Sequence, residues 1–189
     1  MRIVGGQHKG FRFTPPRKTP ARPTTDIAKE GLFNILENRY YFEERNVLDI
    51  FGGTGSISFE FASRGIPDIT LVELDRGNIR FIKQVVEKLE FPITVLQEDV
   101  FKYMERCTQQ YNFIFAGPPY PLKTLDTIPD LVFKNELLKE NGILILEHNP
   151  NHKFDSHPKF SEKRNYGTTI FSFFIQEEKN EEVGIDSEE

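Results

Sequence analysis

An α/β fold with a mostly parallel, seven-stranded sheet is predicted by three observations. From Asn46 onward short apolar runs alternate with amphipathic segments, the runs show little polar alternation, and the chain closes with two β-type stretches around a glycine. The runs are VLDIF, DITLVEL, ITVLQ, NFIFA and GILILE. Their alternation with helical segments is the pattern of parallel strands joined by crossovers. Strands buried on both faces read as continuous apolar stretches, as LVEL, FIFA and ILIL do, so helices should cover both sides of the sheet. FSEKRNY and TTIFSFFIQ flank Gly167 and predict a C-terminal antiparallel hairpin that closes one sheet edge.

Before the first of these runs, two short β-like pieces lie around Ile3 and Phe11, followed by TPPRKTPARP, where proline fixes φ and removes amide donors. Residues 1–23 therefore read as a basic, proline-rich arm. Thr24, Thr25 and Asp26 then offer N-cap oxygens, and Ala28, Leu32, Ile35 and Leu36 recur at helical spacing, which predicts a helix to about Arg39. The main domain is expected over residues 24–176, with that helix as a cap. Residues 177–189 hold seven acids and one lysine, with only Val183 and Ile185 to bury, and read as a solvated, disordered tail.

A chain of 189 residues with 38% hydrophobic content supports one core rather than two. Cys107 is the single cysteine, which excludes an internal disulfide and the usual Cys/His metal clusters and fits a reducing cytoplasm. No run approaches the ~20 apolar residues that span a bilayer, so secretion and membrane insertion are not expected. Net charge is −5, which argues against holding nucleic acid by bulk electrostatics, yet residues 1–30 carry seven basic and two acidic side chains.

The first run ends in Asp49-Ile50-Phe51-Gly52-Gly53-Thr54-Gly55 and leads into a helical pattern. Glycines there let the strand turn sharply and a ligand approach the backbone, the signature of a nucleotide site. Phe51, Gly53, Thr54 and Gly55 form the turn, and Asp49 beneath it favours a cationic ligand over a pyrophosphate. The methionine part of S-adenosylmethionine, with its ammonium and sulfonium, suits such a site. The dinucleotide fingerprint needs Gly or Ala at the position Ser58 occupies, which weighs against NAD. Glu73 ends the second run, where a carboxylate accepts from ribose hydroxyls in NAD and S-adenosylmethionine enzymes alike. Asp99, after the third run, is placed to accept an adenine amino group with the Val100 amide beside the ring. Read alone, an Asp in this position is more often a helix N-cap.

The fourth run stops at Gly117-Pro118-Pro119-Tyr120. An arbitrary PPY is a strand-ending turn with a packing tyrosine. Here it follows the fourth strand of a sheet whose first strand carries the glycine turn, so both face the crevice at the strand ends.

At these residues the chain resembles the S-adenosylmethionine-dependent methyltransferases of exocyclic amino groups, and within them the RsmD family. RIVGGQHKG, RPTTDIAKEGLFNIL, LDIFGGTGSISFE, LVELD, PPY, LILEH and NYGTTIFSFF carry the resemblance in order, from Arg2 to Ile175. It implies a Rossmann-like class I methyltransferase fold, S-adenosylmethionine as cofactor, and a guanine of 16S ribosomal RNA in the small subunit as substrate, methylated at its 2-amino group. It places Thr24, Thr25 and Asp26 over the methionine end of the cofactor. It assigns the arm, with Lys9, Arg12, Arg17, Lys18 and Arg22, to RNA contact, against the plainer reading of a solubilising segment. A monomer in the cytoplasm is the expectation.

The family's fourth motif is Asp or Asn followed by PPY. The acidic or amide side chain and the following proline carbonyl, here Pro118, accept from the target amine, and the tyrosine stacks on the extruded base. Gly117 has no side chain to offer. Deleting one preorganised partner predicts a rate lower by roughly 10²-fold to 10³-fold with cofactor binding kept, unless water or a neighbouring side chain fills the gap. His148, after Glu147, is a further candidate, with a structural role as its alternative. Two other functions stay open: a catalytically silent RNA-binding or assembly factor that keeps the cofactor fold, and a methyltransferase for DNA adenine or another amine.

Overall fold

The computed structural model describes residues 1–16, 24–119 and 121–177. Helix α1 (Asp26–Arg39) starts where the Thr25 side chain accepts from the Ala28 amide at 3.3 Å, and it buries Ala28, Leu32, Phe33 and Leu36. Strand β1 (Asn46–Asp49) leads to α2 (Ser56–Ser63), and β2 (Asp68–Glu73) to α3 (Arg76–Leu89). Strand β3 (Ile93–Gln97) runs into the short α4 (Val100–Arg106) and β4 (Tyr111–Ala116). A 3₁₀ turn (Leu125–Thr127) and α5 (Ile128–Lys134) then lead to the long strand β5 (Leu138–His148). The hairpin β6 (Phe160–Tyr166) and β7 (Thr169–Ile175) turns at Gly167 and Thr168.

The strands form one seven-stranded sheet in the order β3-β2-β1-β4-β5-β7-β6. Strands β1 to β5 pair in parallel, and β7 lies antiparallel between β5 and β6. This is the mostly parallel architecture with a terminal antiparallel hairpin that the sequence predicts. Chain order runs outward from β1 to β3 on one side and restarts at β4 on the other. That reversal opens a crevice at the carboxyl ends of β1 and β4, where ligands of open α/β sheets bind.

Alternate residues of each strand feed two cores. Phe113, Phe115, Ile145 and Phe171 pack with α1 and α2 on one face. Ile114, Ala116, Leu144, Leu146 and Phe174 pack with α4 and α5 on the other. No helix among the described residues is long and apolar enough to cross a membrane.

The start of the chain is tied into the first core. Arg2 bridges Arg12, the Ile3 amide donates to the Phe11 carbonyl at 3.0 Å, and Phe13 donates to Met1 at 3.0 Å. Ile3 and Val4 are buried. Beneath them lies a charged cluster: Glu60 is fully buried and accepts from Lys29 Nζ at 3.0 Å, from Arg64 Nη1 at 2.5 Å and from the Val4 amide at 2.9 Å.

Candidate functional site

A cavity of about 300 Å³ opens at the crevice, lined by Phe51 and Gly53 after β1, Glu73 to Asp75 after β2, Glu98 to Phe101 after β3, and Gly117, Pro119 and Leu122 after β4. Four successive strand ends thus converge on one space. Its apolar walls are Ile50, Phe51, Val72, Leu74, Phe101 and Leu122. Its charged lining is Glu73, Asp75, Glu98 and Asp99, and among the described residues none of the lining is basic. Such a space accepts a flat heterocycle between apolar walls and hydroxyls or amines at its carboxylates. It disfavours a pyrophosphate, which would need a cation or a clear helix N-terminus.

The floor is the glycine turn. Gly53 and Gly55 take φ values of 53° and 79°, a region that side-chain-bearing residues rarely adopt, so the strand reverses into α2 within a few residues. Glu73 holds that turn in place: Oε2 accepts from the Gly53 amide at 2.6 Å, and Oε1 accepts from the Leu74 and Asp75 amides at 2.9 and 2.8 Å. Its orientation is therefore set before any ligand arrives. Asp99 caps α4, with Oδ1 accepting from the Phe101 and Lys102 amides at 3.0 and 3.1 Å. The N-cap reading of this residue is observed, and the same residue lines the cavity beside Val100.

Asp49 lies under the turn, 1% exposed, with Oδ2 accepting from Ser58 Oγ at 2.7 Å. Among the described residues, Oδ1 is buried with no hydrogen-bond partner. Burial pushes its pKa up to about 7, helped by the Glu73 charge and opposed by Ser58 and the Phe51 amide. A buried carboxylate with an unsatisfied oxygen behind a ligand turn fits a cationic head group above it, as S-adenosylmethionine would supply.

Residues 1–175 match the family model described as conserved hypothetical protein 95. The chain belongs to this family. It is 30% identical over 153 residues to the putative rRNA methyltransferase YlbH of Bacillus subtilis, covering 78% of this chain and 82% of that protein. It is 28% identical over 148 residues to ribosomal RNA small subunit methyltransferase D of Escherichia coli K12, covering 78% and 74%. These relatives bear out the RsmD resemblance. In structure, the putative methyltransferase YhhF of Escherichia coli superposes with a TM-score of 0.81 at 24% identity over 95% of this chain and 99% of that one. The 16S rRNA N2 methyltransferase RsmC of Thermus thermophilus, solved with AdoMet and guanosine, gives 0.64 at 21% identity over 81% and 44%.

Within this member of the family the sequence-derived site residues divide. Phe51, Gly53, Glu73, Asp99, Val100, Gly117 and Pro119 line the cavity. Asp49, Thr54, Gly55 and Pro118 are buried around it without forming its wall. Thr54 Oγ1 donates to Met1 Sδ at 3.3 Å. Thr25 caps α1, and Asp26 pairs with Arg2 at 2.6 Å. Thr24 donates from Oγ1 to Glu147 Oε2 at 2.6 Å. Lys9 and Arg12 are exposed on the N-terminal hairpin. Arg17, Lys18, Arg22 and Tyr120 lie outside the described residues. Lys29, counted with the basic segment in the sequence, is 1% exposed and serves the core instead. His148 is buried, its Nε2 at 2.8 Å from Ser172 Oγ and its Nδ1 at 2.8 Å from the Asn149 carbonyl, and burial lowers its pKa. These bonds bind it to the sheet, the structural alternative of the sequence reading.

Sequence reasoning missed Leu74, Asn78, Glu98, Phe101 and Leu122 in the wall. Leu74 had a signal: it is a large apolar residue, 62% exposed, directly after the strand-ending carboxylate.

Proposed function

We propose that this protein is an S-adenosylmethionine-dependent methyltransferase of ribosomal RNA, acting on the 2-amino group of a guanine in the small subunit. The observation that carries the reading is the single cavity shared by the Gly53 turn and the Gly117–Pro119 corner. The names of the RsmD relatives support the rRNA substrate class, and the family's fourth motif supports an amino target. When bound, S-adenosylmethionine supplies a methyl carbon activated by a positively charged sulfur. The chain's own residues do the rest by positioning. Glu73, held by three amides, presents the one lone pair left on Oε2 toward a ribose hydroxyl. Asp99 and the Val100 amide face the adenine edge, and Phe51, Leu74 and Phe101 exclude water from the ring. Pro118 fixes a carbonyl acceptor for the target amine, and Tyr120 stacks on the base.

The test is calorimetry with S-adenosylmethionine and its demethylated product, followed by labelled methyl transfer to unmodified small subunits. Binding of both ligands and one methylated guanine are expected. Absence of ligand binding contradicts the cofactor assignment, and binding without transfer to any RNA favours the silent assembly factor.

Lys9 and Arg12, with Arg17, Lys18 and Arg22, form the RNA-binding arm in this reading. The remainder of the chain is acidic, so attachment rests on local phosphate contacts. Replacing Lys9 and Arg12 by alanine is expected to reduce the slope of log affinity against log salt by about 2, near one for each lost phosphate contact. An unchanged slope removes these two residues from the interface.

A further inference from the structure

We propose that the outer face of α3 is a second phosphate-binding surface for the substrate RNA, running from the rim of the cavity to the N-terminal hairpin. This rests on the ribosomal RNA reading above for the identity of the polyanion, and it extends that reading to residues outside the arm.

The face follows from the helical repeat. Asn78, Ile79, Ile82 and Val85 are buried under α3, so Arg76, Arg80 and Lys83, at i, i+4 and i+7, fall on the opposite side and are exposed. Helix rise places them about 6 and 4.5 Å apart along the axis, one to a turn. Glu87 continues the stripe, and Lys88 stands beside it in the last turn. The helix therefore carries four basic side chains against one acidic one, in a chain of net charge −5.

These charges are not answered within the molecule. Among the described residues, no ion pair or hydrogen bond engages the side chains of Arg76, Arg80 or Lys83. Their placement also works against the helix. Arg76 opens α3, whose first turn holds no acid, and a cation there opposes the helix dipole. Asp75, the N-cap, turns Oδ1 to the Asn78 amide at 2.8 Å. Arg76 and Arg80 are like charges one turn apart and repel. An anion from outside accounts for a row that the isolated helix does not favour.

Both ends of the stripe reach features already described. At its start, Asp75 and Asn78 line the cavity. At its end the hairpin packs on the helix: Lys88 Nζ lies 5.2 Å over the Phe11 ring, Phe13 meets Phe81 at 6.0 Å, and His8 meets Phe91 edge-on at 5.0 Å. Lys9 follows His8 at the hairpin tip, so hairpin and helix form one surface, about 18 Å long from Arg76 to Lys88. A phosphodiester backbone supplies the repeated negative charge that this row accepts, through charge-assisted bonds to its oxygens. Held on α3, the backbone also stays clear of the acidic cavity lining.

The native chain is tested by limited acetylation of its lysines with and without unmodified small ribosomal subunits, read site by site by mass spectrometry. The subunit is expected to slow Lys83 and Lys88 by roughly threefold or more. Lys134, exposed at the end of α5 on the other face of the sheet, should react at an unchanged rate. A triple variant, Arg76→Gln with Arg80→Gln and Lys83→Gln, keeps helix propensity and removes three charges. Its affinity for the subunit should fall by tenfold or more near physiological salt, and the slope of log affinity against log salt should drop by about 2–3. S-adenosylmethionine affinity should stay native, and Tm should hold or rise as the repulsion is relieved.

Unprotected Lys83 and Lys88 overturn the proposal, whether or not the variant folds. Equal protection of Lys134 does so too, since that is attraction by charge without a track. A variant with weaker affinity but the native salt slope would put a subunit protein, not phosphate, on this face. Lysines that react slowly already in the free chain, and faster as salt is raised, would make the chain's own acidic residues 177–189 the occupant. Methyl transfer is measured alongside: α3 protection without any transfer removes the methyltransferase reading and leaves the surface, whereas transfer with α3 unprotected removes the surface alone.

Discussion

Glu60→Leu is expected to lower the folding free energy by about 3–5 kcal/mol, because it strands two cations in the core. Lys29 and Arg64 both lean on the Glu60 carboxylate, at 3.0 and 2.5 Å, and their side chains are 1% and 4% exposed. Each has secondary partners: Lys29 Nζ donates to the Arg2 carbonyl at 2.5 Å and lies 3.5 Å from Asp26 Oδ1, and Arg64 lies 4.2 Å over the Phe33 ring with Glu37 at 3.2 Å. Asp26 and Glu37 are solvent-accessible carboxylates and do not replace a buried one that touches both cations and also receives the Val4 amide at 2.9 Å. For a chain of this size the loss corresponds to a fall in Tm of roughly 6–20 °C. Replacing the whole cluster, Lys29→Met with Glu60→Leu and Arg64→Met, should recover most of it, since an apolar group of similar volume incurs no desolvation penalty. Chemical denaturation of the single and triple variants measures both. A single variant that loses less than about 1 kcal/mol contradicts the assignment of this cluster as the joint between the N-terminal hairpin, α1 and α2.

The fold was legible because its signals are local and repeated. VLDIF, LVEL, FIFA and ILIL each announce a doubly buried strand, and chain order with crossover handedness leaves few sheets they can build. The glycine turn and the diproline corner were legible as partners for the same reason: both end strands, and strand ends share an edge. What stayed hidden depends on register and on contacts between distant segments. LILEH displays Glu147 openly, yet only the pairing of Ala116 with Leu146 brings it beside Gly117. Lys29 reads as one more charge in a basic stretch until Glu60, on α2, is placed against it. Ile3 and Val4 are two apolar residues ahead of a glycine pair, too short a run to signal a core element, and they acquire that role from Glu60 and Ser63 beneath them. Leu74, just after β2, and Phe101, in the first turn of α4, both line the cavity, and nothing in their spacing relates them.

S-adenosylmethionine affinity is expected to rise with pH up to about 7 and to level off above it, with Asp49 as the cause. In the ligand-free fold, burial raises the Asp49 pKa to about 7 from a reference of 3.8. The folded state therefore keeps a proton that the unfolded chain has already released. Stability contributed by that proton is complete below the unfolded value and is lost as pH climbs through 7, an effect of roughly 4 kcal/mol in total. A cationic ligand above the Gly53 turn reverses the balance, since an ammonium near Oδ1, which has no hydrogen-bond partner among the described residues, favours the carboxylate. Binding at pH 6 should then release close to one proton, and affinity should change by up to about tenfold per pH unit below 7. Calorimetry in buffers of different ionisation enthalpy reads the proton directly. Asp49→Asn keeps the shape and can still pair with Ser58, but carries no charge. It should abolish the proton release and the pH slope, weaken binding by about 10²-fold at pH 8, and flatten stability between pH 4 and 7. A native affinity that stays flat from pH 5.5 to 8 would place the ligand's positive charge away from Asp49, leaving burial of that carboxylate to be explained by Ser58 and the turn alone.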